Sequence, residues 1–500
     1  MVTLALFGSG SRSQPVPDTS LTIRNLTINP LELKKIERFE WPAAPQPGGL
    51  SRINSTITGL FVSNSSAATV VVRDGQEPTE RQYVAEMTAG PFETKTTDIR
   101  APEPGRGVLR LTFQTPGTVQ RYVVDCPGPS PRSFVMRRLG GAPLELTAVY
   151  IPSDRHLSIF SSANLGDWMR ELRDEWPLSV LSIPGTHNSP TCYLALPSVR
   201  CQAVSVREQL DNGVRFLDVR VSANKDDDNL ALVHSVFPVA LSGVRYFAGL
   251  LKVLYVFLDA NPSETILMSI KREGTGWGTD QQLSRHLFGR YCGGDSARRW
   301  FTEPRIPTLG EARGKIVLIR RFINDDVLEA EHGGTGWGID ASEWPGNCAD
   351  GTVDSGLIRV QDFYEVDQSH NIGKKIDLAE RHLEKACQRV YAETTAATAV
   401  ETAPSPPPFF LNFLSGSNFF NASCWPEKIA ARVNPAIIEY LCTKHAEKGR
   451  GPAQLDVGDA GTGIVVTDWV GQGGDWDLIR CIVGWNARLQ LRRVAAQAGT

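Results

Sequence analysis

The chain has 500 residues, and its hydrophobic fraction of 41% and charged fraction of 21% are typical of a soluble globular protein. This length predicts two or three domains, or one large barrel with a smaller module. A formal net charge of −3, without a dense basic block, gives no reason to expect a nucleic-acid partner. The nine cysteines form no CxxC pair; Cys192 and Cys201 are close enough to bridge a loop, but we interpret all nine as free thiols.

Neither a secretory signal nor a membrane-spanning segment is predicted. Residues 1–13 have no basic region and too short an apolar run for a signal. The most apolar region, residues 230–258, is interrupted by a proline and by ionisable side chains. We therefore expect a cytoplasmic protein, or one peripheral to a membrane, rather than a secreted one. Sequons would matter only in an exported chain, and they lie at Asn25, Asn54, Asn64 and Asn421.

Residues 1–150 are predicted to form an antiparallel β-sandwich. Short alternating apolar runs, separated by turn residues, predict strands in this part of the chain. These runs lie at residues 20–28, 58–64, 68–74, 107–115 and 119–127. Because no histidine-rich or acidic cluster marks a catalytic site there, we interpret the domain as a structural or adhesive module whose role the sequence does not reveal.

Residues 170–495 are predicted to form a closed, largely parallel barrel, a distorted TIM (β/α)8-type fold of the α/β class. Buried strand-like runs alternate here with helical stretches. The runs lie at residues 179–183, 214–221, 230–234, 265–271, 315–321, 356–364, 409–415 and 463–469. The second and third runs are too close for a full helix, so we expect an irregular barrel. A low-complexity stretch at 394–408 is interpreted as a surface insertion without a catalytic role.

Nearly every predicted strand ends in a polar or ionisable side chain. In chain order these residues are His187, Asp218, Arg220, His234, Lys271, Arg321, Asp362, Tyr364, Ser415 and Asp468. The carboxyl ends of the strands of a barrel converge on one mouth, where reactive residues belong. Random placement would scatter such groups over both ends. The pattern therefore predicts an active site at this mouth.

The first strand leads directly into this site. Pro184 and Gly185 are predicted to end it sharply, so that His187 stands at its carboxyl end. A histidine is a natural proton carrier near neutral pH, although a lone histidine is more often structural. Two histidines, an arginine and carboxylates suit phosphate-ester chemistry, because one imidazole can accept a proton while the other donates one. A guanidinium can hold the phosphate and offset the charge that develops on it.

The strand-end motifs are, in order, IPGTHNS, GVRFLDVR, LALVH, ETILMSIKRE, RGKIVLIRRF, VQDFY and VTDW. Their joint order resembles that of the phosphatidylinositol-specific phospholipase C family (X domain), and most closely the bacterial type and the fungal proteins like it. The resemblance covers about residues 170–490. It implies a distorted TIM barrel that cleaves phosphatidylinositol, at a membrane surface, to diacylglycerol and a cyclic inositol phosphate.

The resemblance also implies catalytic roles by position. His187 would be the general base toward the inositol 2-hydroxyl, with Asp468 as its orienting carboxylate. His234 would be the general acid toward the diacylglycerol oxygen. Arg220 would hold the phosphate, with Asp218 beside it.

The inositol pocket would be lined by Lys271, Arg321 and Tyr364, with the tyrosine stacking on the sugar ring. Asn188 is also expected to face the substrate, and it departs from the bacterial pattern, which has aspartate at this position. That change leaves His234 without its usual carboxylate partner. Animal relatives have asparagine here too, but bind calcium through acidic residues where this chain carries Arg220. Since a cation at this position repels Ca²⁺ and supplies positive charge itself, we expect neither a metal nor another cofactor.

Two further features leave alternatives open. The sequence GTGWG occurs at 274–278 and 334–338, where Trp277 and Trp337 could enter a membrane interface or simply pack. As rival functions, the chain could cleave another glycerophosphodiester, or could be a catalytically weak lipid- or glycan-binding protein that uses the barrel for recognition. No protein partner is indicated.

Overall fold

The computed structural model describes residues 19–41, 71–103, 105–128, 133–141, 144–334, 336–391, 405–449, 451–454 and 456–491. The predicted strand at 58–64, the sequons at Asn54 and Asn64, and most of the low-complexity stretch lie outside these residues. Asn25 is buried, and its amide donates to the carbonyls of Asn29 and Ala89.

The first part of the described chain, here called the N-terminal sheets, ends at Ser161. Its strands are β1 Ser20–Leu26, β2 Leu31–Glu40, β3 Glu80–Tyr83, β4 Thr88–Ala89, β5 Glu93–Arg100, β6 Gly107–Gln114, β7 Arg121–Cys126, β8 Ser133–Val135, β9 Arg137–Leu139, β10 Leu146–Ile151 and β11 His156–Ser161.

These strands form two sheets. One has the order β5-β1-β11-β10-β8, and the other has the order β3-β2-β6-β7-β9, with β4 also paired to β2. Apolar side chains of both sheets, such as Leu21 of β1 and Leu111 of β6, share one core. Two predictions are corrected here. Strand β1 pairs with β11 in parallel, so the first sheet is mixed, and the described residues 71–74 of the predicted strand 68–74 form no strand.

The rest of the described chain is here called the α/β unit. Its strands are β12 Ile183–Thr186, β13 Phe216–Ser222, β14 Ala231–His234, β15 Phe237–Pro238, β16 Ile266–Arg272, β17 Trp300–Phe301, β18 Ile316–Arg321, β19 Ile339–Asp340, β20 Gly351–Thr352, β21 Ile358–Gln361, β22 Phe409–Phe413 and β23 Ile464–Thr467. Its α-helices are α1 Val206–Asp211, α2 Phe247–Ala260, α3 Asp280–His286, α4 Leu309–Ala312, α5 Asp326–Glu331, α6 Ile372–Gln388, α7 Pro426–Thr443 and α8 Asp477–Gly484.

The strands of the α/β unit form a curled, mainly parallel sheet. The parallel order is β18-β16-β13-β12-β23-β22-β21. These strands are buried and apolar, as expected where both faces of a parallel sheet are covered. Within the described residues no strand pairing joins β18 and its neighbours to β21 and β20, so the predicted closed barrel is corrected to an open, curled sheet.

Two strand predictions differ from the structure for simple physical reasons. The predicted third parallel strand is the antiparallel arm β14, because the short link from β13 leaves no room for a crossover helix. Strand β12 starts at Ile183 rather than Ser179 and includes Pro184 and Gly185, which pair with β23. The link after β12 nevertheless presents His187 where expected, one residue beyond the strand.

The N-terminal sheets pack against helices α7 and α8. The guanidinium of Arg24 donates to the carbonyls of Cys442 (2.9 Å) and His445 (2.6 Å), and forms an ion pair with Glu447 at 3.2 Å. Among the described residues, no helix is both long and apolar enough to cross a membrane.

Candidate active site

A cavity of about 390 Å³ opens at the carboxyl ends of the parallel strands. It is lined by His187, Arg220, His234, Ser235, Lys271, Glu273, Arg321, Ser342, Trp344, Gly346, Asp362, Tyr364 and Ser415–Ser417. Eight of the ten strand-end residues predicted for the site therefore line one cavity. Asp218 and Asp468 are buried behind it and contact its lining residues directly.

His187 is held between a carboxylate and a guanidinium. Its Nδ1 lies 2.9 Å from Oδ1 of Asp468, and its Nε2 lies 2.9 Å from Nη2 of Arg220. Because a guanidinium can only donate, these partners assign the proton to Nδ1 and leave the lone pair on Nε2. Burial raises the pKa of Asp468, while the charges of His187 and Arg220 oppose that rise. The pair of His187 and Asp468 thus presents the lone pair of the His187 Nε2 to the cavity.

Arg220 carries a fixed positive charge at the centre of the site. It donates to Oδ2 of Asp218 at 3.2 Å and to Oε1 of Glu273 at 3.1 Å. Burial acts to lower the pKa of this guanidinium, but the two carboxylates outweigh it and raise the pKa. For Asp218, burial acts in the opposite direction, and Arg220 and Arg321 lower its pKa well below the usual range. All these groups are therefore charged at neutral pH.

His234 stands across the cavity from His187, with the two ring centroids 5.7 Å apart. Its Nδ1 lies 2.9 Å from the carbonyl oxygen of Val199, and the thiol of Cys201 lies 3.6 Å from the same nitrogen. Burial, followed by the charges of Arg220 and His187, lowers the pKa of His234 to about 3. The imidazole is therefore neutral at pH 7 in this structure.

One wall of the cavity, here called the polar wall, is formed by Lys271, Glu273, Arg321 and Tyr364. Lys271 donates to Glu273 at 2.8 Å, and this carboxylate has its pKa lowered to about 2 because Arg220 and Lys271 outweigh its burial. The guanidinium of Arg321 lies over the ring of Trp344 at 3.9 Å. Tyr364 is 40% exposed at the rim. This wall offers charged donors and acceptors, together with one aromatic face.

Asn188 does not line the cavity. Its side chain is fully buried, and neither polar atom of its amide has a hydrogen-bond partner among the described residues. Its backbone lies in the left-handed region with φ of 40°, and its N–H donates to Asp218 at 3.1 Å. Asparagine adopts this conformation more readily than most residues.

Sequence reasoning missed Glu273, Trp344 and the Val199 carbonyl. Glu273 follows Lys271 by two residues, so strand alternation could have placed both side chains on one side. Trp344 lies in a loop between β19 and β20, and the carbonyl lies in an irregular link. No sequence pattern marks either of these positions.

One group of side chains has the spacing of a metal site. Ligand atoms of His187, Cys201 and His234 lie within 4.8 Å of one another. The thiol is fully buried, which raises its pKa well above the usual value, and the guanidinium of Arg220 lies beside His187. A neutral thiol next to a fixed cation is a poor environment for a divalent ion. The donor set therefore does not fit a resident metal.

The chain is similar to proteins of known family over part of its length. Residues 175–322 match the family model described as phosphatidylinositol-specific phospholipase C, X domain. The chain is therefore similar to this phospholipase C X-domain family over residues 175–322. The resemblance found in the sequence motifs is thus confirmed.

Relatives within the family differ in how much of them the chain covers. A 1-phosphatidylinositol phosphodiesterase of Staphylococcus aureus strain Newman is 26% identical over 343 residues, which are 63% of this chain and 92% of that protein. The enzyme of that name from Listeria monocytogenes is 33% identical over 173 residues, or 32% of this chain, and the match spans half of that protein. PI-PLC X domain-containing protein 1 of Homo sapiens is 30% identical over 208 residues, 33% of this chain and 59% of that protein.

Among solved structures, a phosphatidylinositol-specific phospholipase C from Staphylococcus aureus containing pentafluoro-Phe is similar. The TM-score is 0.49 at 24% identity, and the alignment covers 64% of this chain and 97% of that chain.

Proposed function

We propose that this protein is a phospholipase C that cleaves phosphatidylinositol to diacylglycerol and a cyclic inositol phosphate. The observation that carries the proposal is the arrangement of His187, held between Asp468 and Arg220, opposite a second imidazole on His234. Such a pair can move one proton on and one proton off a phosphate diester in a single displacement.

The base step follows from the proton assignment. Nε2 of His187 accepts the proton of the inositol 2-hydroxyl, and the resulting oxygen attacks phosphorus. Asp468 stabilises the imidazolium that forms, because its carboxylate already accepts from Nδ1–H. Arg220 contacts the same Nε2 in the free enzyme, so its guanidinium is within reach of a phosphate bound there.

The acid step uses His234. As the bond from phosphorus to the glycerol oxygen breaks, Nε2–H of the protonated imidazole donates to that oxygen, and diacylglycerol leaves. The negative charge of the bound phosphodiester favours protonation of His234, opposing the effect of Arg220. The Val199 carbonyl keeps Nδ1 as a donor in both protonation states.

The polar wall suits a polyol. Lys271, Glu273 and Asp362 place charged donors and acceptors around the remaining cavity, while Tyr364 offers a ring face to the sugar. Hydroxyl groups that pair with such charged partners form strong hydrogen bonds. We infer that inositol binds against this wall and that catalysis needs no metal, because Arg220 supplies the positive charge.

An apolar rim continues from the cavity and suits a membrane surface. Ser235 lines the cavity and leads into Val236 and Phe237, and Ser417 leads into Phe419 and Phe420. We call these four apolar residues the apolar rim. The ring of Phe237 stacks on that of Phe419 at 5.9 Å, and Phe420 is 94% exposed.

The apolar rim adjoins His234, on the side where diacylglycerol departs, so we infer that this face meets the bilayer. Of the two tryptophans raised as membrane contacts, Trp277 is exposed and stays a candidate. Trp337 is buried against Phe288, so of the two alternatives left open for this residue the structure has the packed one.

The N-terminal sheets are proposed to form a sandwich with a structural role. They share one core and are held to helices α7 and α8 by buried contacts. We infer that the division between the two units lies after Ser161, because β10 and β11 complete the first sheet. The predicted boundary near residue 150 is moved accordingly in this proposal.

The test is ³¹P NMR of the purified protein with phosphatidylinositol vesicles, with and without EDTA. We expect a cyclic phosphodiester signal that persists in EDTA and is lost in His187→Ala. If the protein turned over only a different glycerophosphodiester, the proposed substrate would have to be changed to one with that head group. Vesicle binding without any turnover would replace the enzyme with a binding module, and calcium-dependent turnover would overturn the metal assignment.

A further inference from the structure

A buried link between β12 and α1 contacts the imidazole of His234 and the backbone of His187. It comprises Val199, Arg200, Cys201 and Gln202, and the side chains of Cys201 and Gln202 are fully buried. The proposed reaction uses one atom of this link, the carbonyl oxygen of Val199, as the acceptor for Nδ1 of His234. Its other contacts connect three separate catalytic segments.

The contacts with His234 come from the first half of the link. The Val199 carbonyl accepts from Nδ1 of His234 at 2.9 Å, and the Cys201 thiol lies 3.6 Å from both the carbonyl and that nitrogen. The N–H of Cys201 donates to the hydroxyl of Thr191 at 3.1 Å, and that hydroxyl donates to the carbonyl of Asn188 at 2.7 Å. The orientation of the second imidazole is thus set by a backbone carbonyl, without a carboxylate.

The contacts with His187 and Asp468 come from the second half. The side-chain amide of Gln202 donates to the carbonyl of His187 at 2.7 Å and to the carbonyl of Thr467 at 2.9 Å. Thr467 immediately precedes Asp468. The N–H of Trp469 donates to the carbonyl of Cys201 at 2.8 Å. One amide therefore bridges the two chain segments that carry the base and its carboxylate.

We propose that Val199–Gln202 is a positioning loop for both catalytic imidazoles, and that Gln202 is its principal positioning residue. The expected effect on turnover rests on the proposed function. The expected effect on the orientation of His187 does not. Gln202 acts through backbone carbonyls and does not touch substrate. Losing it removes the side-chain donor from the carbonyls of His187 and Thr467, while the backbone bond from the His187 N–H to the Thr467 carbonyl (2.9 Å) stays. The 2.9 Å contact between His187 and Asp468 is then held less firmly.

The physical effect is larger on rate than on binding. Displacements of about 1 Å at reacting groups cost about 10²-fold in rate. The polar wall that holds the head group lies on other strands, so substrate affinity does not depend on this bridge. Gln202→Met, which keeps length and volume but removes both donors, isolates the effect.

The experiment compares the wild type, Gln202→Met and Asn486→Leu in the full chain. Asn486 is a matched control, because its buried amide likewise bridges two carbonyls, those of Ser182 and Val483, at the other end of β12. Imidazole ¹⁵N shifts report the His187 tautomer without any turnover. We expect one Nδ1–H tautomer in the wild type and in Asn486→Leu, and mixed tautomers in Gln202→Met.

In phosphatidylinositol turnover, we expect kcat of Gln202→Met to fall about 10²-fold with KM changed less than about threefold. An unchanged tautomer with unchanged kcat would overturn the inference, as would an equal loss of kcat in Asn486→Leu at matched urea stability. A wild type that turns over no inositol lipid, yet shows the tautomer change, would reject the proposed function and leave the positioning loop standing.

Gln202→Glu provides the second variant if the methionine variant does not fold. Its carboxyl can donate a hydrogen bond only while protonated, and the ionised form faces two carbonyl oxygens. The activity of this variant should therefore show a second alkaline limb, in addition to the one that the wild type owes to His234. Identical pH profiles for the two proteins would count against Gln202 as a positioning residue.

Discussion

At the scale of single residues, the side chains on either side of the His187 imidazole alternate in the sign of their charge. Asp468, His187, Arg220 and Glu273 follow one another at hydrogen-bond distance. Arg220 keeps the carboxylates of Asp218 and Glu273 ionised, and these carboxylates in turn keep its guanidinium charged. In the mechanism proposed above, His187 is the member of this series that gains a proton.

Asn188 is the residue at which this chain departs from the bacterial pattern, and it leads to a pH prediction. A general acid must be protonated, and the protonated fraction of His234 falls as pH rises through its pKa of about 3. From the resemblance to the bacterial pattern, which has aspartate here, we expect a carboxylate at position 188 to raise that pKa. In Asn188→Asp we expect the alkaline limb of kcat/KM to move to higher pH by about one pH unit or more. Each pH unit of this shift should raise the activity at pH 7 by about tenfold.

The measurement is a pH–rate profile on vesicles between pH 4 and 9. Asn188→Gly is the control, because it tolerates the positive φ without adding charge. An alkaline limb that stays in place in Asn188→Asp would show that position 188 does not act on His234.

At the scale of elements, strand β12 depends on the absence of a side chain at Gly185. This residue pairs with Phe216 of β13, and a Cβ added to it would lie 2.9 Å from the Phe216 Cβ and 3.2 Å from the Phe216 carbonyl oxygen. Because backbone cannot yield there without separating the two strands, we expect Gly185→Ala to lower the free energy of unfolding by about 1–3 kcal/mol.

Urea unfolding measures this change. Gly249→Ala is the matched control, since Gly249 lies in α2 and an added Cβ meets nothing within 4 Å. There the alanine should stabilise by up to about 1 kcal/mol. Destabilisation of equal size in both variants would contradict the packing argument.

The apolar rim gives a second prediction at this scale. Phe420→Ser removes an exposed ring that is proposed to enter the bilayer, and full burial of such a ring is worth about 1.5–3 kcal/mol. We expect vesicle affinity to fall by about tenfold, while turnover of a soluble short-chain inositol phosphodiester stays unchanged. Vesicle sedimentation and the soluble assay separate the two effects.

Tyr83→Ser is the control for the apolar rim. Its ring is 75% exposed at the end of β3 in the N-terminal sheets, away from the cavity. An equal loss of vesicle affinity in this variant would place the membrane contact elsewhere.

The elements also show what the sequence could predict. Apolar runs located the parallel strands from β13 to β23 within a few residues, because burial on both faces requires continuous hydrophobicity. The same signal could not separate the hairpin arm β14 from a parallel strand, since partner and direction depend on neighbours rather than on composition. Side chains at strand ends, such as Arg220, could be predicted because the apolar runs show where each strand ends. Loop residues such as Trp344 and Gln202 were missed because their positions depend on tertiary contacts.

At the scale of the whole molecule, the N-terminal sheets and the α/β unit share an apolar cluster, and polar contacts of Arg24 lie beside it. Leu26 and Phe160 of the N-terminal sheets pack in one cluster with Ile438 and Trp485 of the α/β unit. Arg24 lies at this contact, 2% exposed, with its guanidinium 5.6 Å from the Trp485 ring. Separating the units would expose this cluster, so we expect them to unfold together.

Arg24→Met tests this coupling. The variant keeps the apolar stem but removes the guanidinium donor from the carbonyl of His445 and from that of Cys442, which keeps the Ser158 hydroxyl as a donor at 3.0 Å. It also breaks the ion pair with Glu447. We expect a loss of about 3 kcal/mol in the free energy of unfolding, with far-UV circular dichroism and tryptophan fluorescence still following one transition. Arg100→Met is the control, because this exposed side chain pairs with Glu103 within the N-terminal sheets, and it should change stability by less than about 0.5 kcal/mol. Two separate transitions in the wild type would mean that the N-terminal sheets fold independently. Their contact with α7 and α8 would then contribute little to the stability of the α/β unit.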